Sequence, residues 1–91
     1  MKTAQDVELT HRHCALLRAV AAGNCELTWS CEPDLFIDGR TCCDQTAAHL
    51  LARAGLIRHA ARGRIGQRVP AELTDAGRAV LDATRPIADA A

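Results

Sequence analysis

Apolar positions recur at helical spacing in three stretches, and strand-like alternation fills the gaps between them. In HRHCALLRAVAAG, Cys14, Leu17, Val20 and Ala21 fall on one face, Thr10 stands as N-cap and Gly23 as the stop, which predicts a helix over 11–22. Leu9 and Cys14 are spaced as a hydrophobic staple across that helix start. CELTWS alternates, with Leu27 and Trp29 on one side, and LFI is short and β-prone before the turn dipeptide Asp38-Gly39. These predict strands over 26–31 and 35–37; a short helix opening at Pro33 is the competing reading of the same stretch. Thr41 with Asp44 resembles a capping box, and Cys43, Ala47, Leu50, Leu51 and Ala54 line a face that predicts a helix over 42–54, stopped by Gly55. LIRHA and QRVPAEL read as a strand pair around the loop RGRIG, with Pro70 marking an edge or an end of its strand. Thr74 caps a last helix containing Ala76, Val80 and Leu81. Gly77 inside that helix costs roughly 1 kcal/mol against alanine, which implies a close packing contact there.

Ninety-one residues predict one α+β domain with a core over about 10–84 and loose tails at 1–9 and 85–91. Formal net charge is zero, yet the charges are segregated. From Gly39 to Val69, Arg40, Arg53, Arg58, Arg62, Arg64 and Arg68 face Asp44 alone, whereas the flanking stretches are acidic. A basic block within a neutral chain points to an anionic partner. The opening MKTAQDVELTHRH has no apolar core of a signal peptide, and no apolar run is long enough to span a bilayer. The expectation is a cytoplasmic protein with no membrane partner, whose cysteines are thiols or metal ligands rather than disulfides.

Leu50 to Leu81 resembles the winged-helix repressors of the multiple-antibiotic-resistance (MarR) and related bacterial families. The matching pieces are LLARAGLI, then the arginine- and glycine-bearing hairpin, then LTDAGRAVL, with ALLRAV similar to the family's opening helix. The Arg-, Ala- and Gly-rich usage is similar to that of small actinobacterial or phage chains. The resemblance implies a small winged helix-turn-helix of three main helices, a short N-terminal β insert and a C-terminal β-hairpin wing. CELTWSCEPDLFIDGRTC stands where the family carries its positioning helix, and no long flanking helices of the kind that build the family's dimer are evident.

A helix entering a major groove must offer polar or cationic side chains to base edges, and Gln45, Thr46, His49 and Arg53 have that chemistry and spacing. Arg58, Arg62, Arg64 and Arg68, with no acid among them, suit phosphates or a narrow minor groove. Asp44 at the helix start would repel phosphate. The expected function is therefore double-stranded DNA binding in transcription regulation, with a homodimer to enlarge the small interface of one module. The alternative is a winged-helix protein-interaction module without DNA, with or without stabilising zinc, whose contact patch is the acidic β insert with Trp29 and Phe36; it predicts Trp29 or Phe36 exposed and the arginines paired with acids. Cys25, Cys31, Cys42 and Cys43 form a candidate structural zinc set, although their spacing contains no Cys-x2-Cys knuckle. Buried apolar roles for Cys14 and Cys43, or a redox role for Cys42 and Cys43 at a helix start, compete with zinc. His11 and His13 point to different helix faces. Ser30 is the single serine and GRIGQ lacks the Lys-Ser/Thr of a phosphate loop, so no enzyme chemistry is expected.

Overall fold

The computed structural model describes residues 11–84. The elements are α1 (His11–Ala21), β1 (Cys25–Thr28), β2 (Leu35–Ile37), β3 (Arg40–Thr41), α2 (Gln45–Arg53), β4 (Ile57–His59), β5 (Arg68–Leu73) and α3 (Asp75–Thr84). The two tails, the Thr10 cap with its Leu9 staple, and Pro86 lie outside the described residues.

The β insert and the wing are not separate units. All five strands join one antiparallel sheet in the order β3-β2-β1-β5-β4, with β1 at its centre. Leu27 pairs with Leu35 on one side and Val69 on the other. The competing helix at Pro33 is not formed. Asp38 and Gly39 both take positive φ, 54° and 80°, which matches the two-residue turn that a tight β2–β3 hairpin needs. The chain thus reaches α2 from a hairpin rather than from a positioning helix.

Pro70 sits inside β5, an inner strand, contrary to the expected edge. β5 divides its pairing: 68–70 lie against β1 and 71–73 against β4. Pro70 is the last residue of the first ladder, and its carbonyl accepts from Ala60 N at 2.8 Å. A missing N–H is tolerated at such a hand-over.

The helix limits shift for local reasons. Asp44, not Thr41, caps α2: its carboxylate accepts from Ala47 N at 3.0 Å, while Thr41 belongs to β3. At the other end Leu56 N donates to Leu51 O and Gly55 N to Ala52 O, at 2.9 and 3.1 Å, so the helix closes in a Schellman motif as Gly55 predicted. Thr74 caps α3, accepting from Gly77 N at 3.0 Å. Its own hydroxyl donates to Gly55 O at 2.5 Å, which ties the start of α3 to the end of α2.

Leu17, Leu27, Leu35, Leu51 and Leu56 are the largest fully buried side chains, and the core joins all three helices to one face of the sheet. In α1 the buried set is Leu16, Leu17 and Val20; Cys14 is half-buried and Ala21 exposed. In α2 it is Ala47, Ala48 and Leu51, with Leu50 only half-buried and Cys43 exposed before the helix begins. Both faces are rotated slightly from the sequence expectation. Gly77 is buried in α3 where the helix crosses Leu56, and a Cβ there would fall on the Leu56 carbonyl oxygen and 2.9 Å from its carbon. The close contact inferred from its helix cost is present. No helix among the described residues is long and apolar enough to cross a membrane.

Candidate nucleic-acid interface

The eight residues proposed for DNA contact separate into three groups. Gln45 serves the fold. Its amide nitrogen donates to Leu35 O and Cys42 O, both at 2.9 Å, and its oxygen accepts from Leu35 N at 2.8 Å. This clamps the first turn of α2 to β2, so Gln45 is not available to a base edge.

The second group is paired with acids; Arg53, Arg58 and Arg68 are exposed and His49 is half-buried. His49 and Arg53, four residues apart, share one face of α2. His49 Nε2 lies 3.0 Å from Asp34 Oδ1, and Arg53 donates to Glu32 at 2.7 Å. Both acids come from the loop between β1 and β2. Arg58 pairs with Glu72 across the β4–β5 ladder at 2.6 Å. Arg53 and Arg58 nevertheless keep 73% and 63% of their side chains in solvent, so these are surface pairs, worth about 0–1 kcal/mol each. Arg68 belongs to the sheet rather than to the wing loop. Its guanidinium stacks over Phe36 at 4.7 Å, stands 3.8 Å from Glu26 and donates to Gly39 O at 3.3 Å.

The third group, Thr46, Arg62 and Arg64, is exposed. Neither Arg62 nor Arg64 makes a side-chain hydrogen bond or ion pair among the described residues, and no acid occurs from Ala60 to Ala71. Asp44 does not stand as an unopposed charge at the helix start. Its carboxyl is held below the ordinary value, first by the Ala47 N–H and then by Arg12, 3.0 Å away. The contribution of this cap to stability is present above the ordinary carboxylate value and lost as pH falls through the depressed one.

A cleft of about 260 Å³ runs between the C-terminal half of α2 and β4, with His49, Arg53, Arg58 and His59 among its walls and Glu32 on its rim. It shares Ser30, Cys31 and His59 with a second groove that continues to Trp29 and Ile65. Helix α2, strand β4 and Ile65 therefore border one continuous surface. Trp29 is half-buried with its ring edge-on to His59, centroids 4.7 Å apart, and His59 Nε2 donates to Thr28 O at 2.6 Å. Phe36 is half-buried beneath Arg68. Glu32, Asp34, His59 and Ile65 were not among the sequence candidates. The i,i+4 pair His49/Arg53 could have pointed to acids elsewhere in the chain, but not to which ones.

Of the four cysteines proposed for zinc, Cys25 and Cys42 are buried near one another, while Cys31 and Cys43 are exposed. Among the described residues no group of three or more His, Cys, Asp or Glu could hold a metal ion. Burial, with Asp38 and Cys42 nearby, pushes the Cys25 thiol up to about 11 from 9.0. The unfolded chain therefore loses this proton before the folded one. Cys25 should contribute stability in full below about pH 9 and lose that contribution as pH rises through about 11. Alkylation of the native protein at pH 8, mapped by mass spectrometry, should modify Cys31 and Cys43 and spare Cys25; equal labelling of all three would contradict this burial.

No protein-family model, no curated protein and no solved structure matches this chain.

Proposed function

We propose that the protein binds double-stranded DNA as a small winged-helix module, in a transcription-regulatory role, with the wing making the principal contact. The observation that carries this reading is the loop between β4 and β5: Arg62 and Arg64 are exposed, carry no acid beside them in sequence, and lead up to Ile65, which lines the groove continuing from the α2–β4 cleft. One part of the element order supports it, a helix followed by a hairpin whose second strand lies against a strand preceding that helix, whereas the β2–β3 hairpin ahead of α2 departs from it. Thr46 and Arg53 are the α2 side chains left to approach a groove, and a homodimer would double the modest contact of one copy.

Glu32 and Asp34 modify this reading. They occupy Arg53 and His49 and set negative charge where phosphates would approach. Exposed pairs exchange partners cheaply, but the displaced carboxylates remain. Glu32→Gln should therefore tighten binding of a labelled mixed-sequence duplex about two- to fivefold, corresponding to roughly 0.5–1 kcal/mol of relieved repulsion. Anisotropy titration reads this directly, and an unchanged or weaker affinity would count against α2 as a DNA-facing helix.

The ion pairing also favours a second reading, a protein-interaction module in which the acids and arginines are surface structure. That reading predicts no duplex binding at low salt by the folded protein. It is weakened by Trp29 and Phe36, both half-buried against His59 and Arg68.

A further inference from the structure

Ile65 is 92% exposed and is the sole exposed large hydrophobic among the described residues. It stands in the turn that leads into β5, directly after Arg64. Burial elsewhere in the protein follows the usual rule, so this exposure is a specific departure.

The turn that carries Ile65 is fixed. Gln67 N donates to Arg64 O at 2.8 Å, and Gly66 takes φ +85°, which together make a type II turn with Ile65 at its first corner. Gln67 Oε1 accepts from Arg64 N at 2.8 Å and closes the turn from inside. Its far side is tied to the residue that follows β1: Trp29 N donates to Gln67 O at 2.8 Å, and Gly66 N to Trp29 O at 3.0 Å. The tip is also slender. Gly66 adds no side chain, and a Cβ at Gly63 would stand 2.7 Å from Val69 Cγ1. Little projects there besides Arg62, Arg64 and Ile65.

We infer that Ile65 is an apolar wedge, which the wing inserts between base pairs of the DNA minor groove while Arg62 and Arg64 hold the flanking phosphates. This rests on the DNA-binding reading above. Minor-groove binders that carry such wedges surround them with arginine or lysine, unstack a base step and bend the duplex by about 20–90°. The minor groove is only about 6 Å wide, which suits a tip bordered by glycines. A membrane surface is the poorer match, because a single isoleucine has far less apolar area than a myristoyl chain, which alone binds membranes only marginally.

The test uses the full chain and a duplex of about 20 base pairs carrying a fluorophore at each end, with end-to-end transfer and anisotropy read together. The expected result is that binding raises transfer efficiency, that Ile65→Leu preserves the rise, and that Ile65→Ser abolishes it while losing no more than about tenfold in affinity. Binding with no change in transfer, or an equal rise with Ile65→Ser, would overturn the wedge and leave the DNA reading standing. Absence of duplex binding by folded protein would overturn both. Ile65-dependent binding to anionic lipid vesicles alongside a straight duplex would assign the tip to a membrane instead.

Discussion

Gly77→Ala should lower the melting temperature by about 10 °C, although alanine is the better helix former by roughly 1 kcal/mol. The reason is room. A Cβ at residue 77 would fall on the backbone carbonyl of Leu56, and that carbonyl already accepts from Thr74 N at 3.0 Å. Leu56 is fully buried, so neither α3 nor the strand entry can yield without disturbing the core. Overpacking of this kind costs about 1–3 kcal/mol, and backbone has less freedom to relax than a side chain. A net loss near 2 kcal/mol is a large part of what a domain of this size possesses. Ala79, exposed on the same helix, is the control: Ala79→Gly should cost only the propensity difference, about 1 kcal/mol. A thermal melt of the two variants separates the effects. A rise in melting temperature for Gly77→Ala would show that α3 does not rest on Leu56.

The second large effect is expected in binding. Arg62→Ala/Arg64→Ala should weaken duplex affinity about thirtyfold while leaving the fold intact. Both side chains are exposed and make no side-chain hydrogen bond or ion pair within the described residues, so their removal takes no polar interaction from the folded state. Two lost solvent-exposed arginine–phosphate pairs at about 1 kcal/mol each give that factor. Arg58 and Arg68 should matter less. Arg58 must leave Glu72 to reach a phosphate, and Arg68 is committed to Phe36 and Glu26 on the sheet. An affinity unchanged in the double variant would remove the wing from the interface.

Features governed by neighbours in sequence were legible in the chain. Thr74 as a cap, Gly55 as a helix stop and Asp38-Gly39 as a hairpin turn all follow from local backbone chemistry, and each is present; Gly77 signalled a close contact through its helix cost, but not that Leu56 would be its partner. Features set by distant partners were not. Arg53 meets Glu32 across 21 residues and Gln45 meets Leu35 across 10. Neither the residue types nor their spacing encodes such a meeting. Gln45 looked like a groove-reading side chain because an exposed helix turn and a clamped one have the same sequence pattern. Pro70 misled for a related reason: its cost depends on which ladder needs its N–H, and β5 changes partners at that residue. The same limit applies to the β insert. Alternation shows that 25–28 can be a strand, but only the pairing of Leu27 with both Leu35 and Val69 makes it the centre of the sheet.

The site inherits this division. The arginine content of the wing was readable, and so was its separation from acids in sequence. The acids folded against α2 were not, and they shift the expected contact from the helix to the wing tip. They also reduce the electrostatic term that the arginine count alone suggests. Four arginine–phosphate contacts would give log affinity a slope near −3.6 against log salt, whereas Arg62 and Arg64 alone give about −1.8.

That slope is the most direct measurement of the central claim. A labelled mixed-sequence duplex would be titrated across a salt series with the wild-type protein and with Arg62→Ala/Arg64→Ala, folding being verified by circular dichroism. The account predicts measurable wild-type binding with a slope near −1.8, flattening towards zero in the variant. Folded wild-type protein that fails to bind at low salt, or a variant whose slope equals the wild type's, would contradict it.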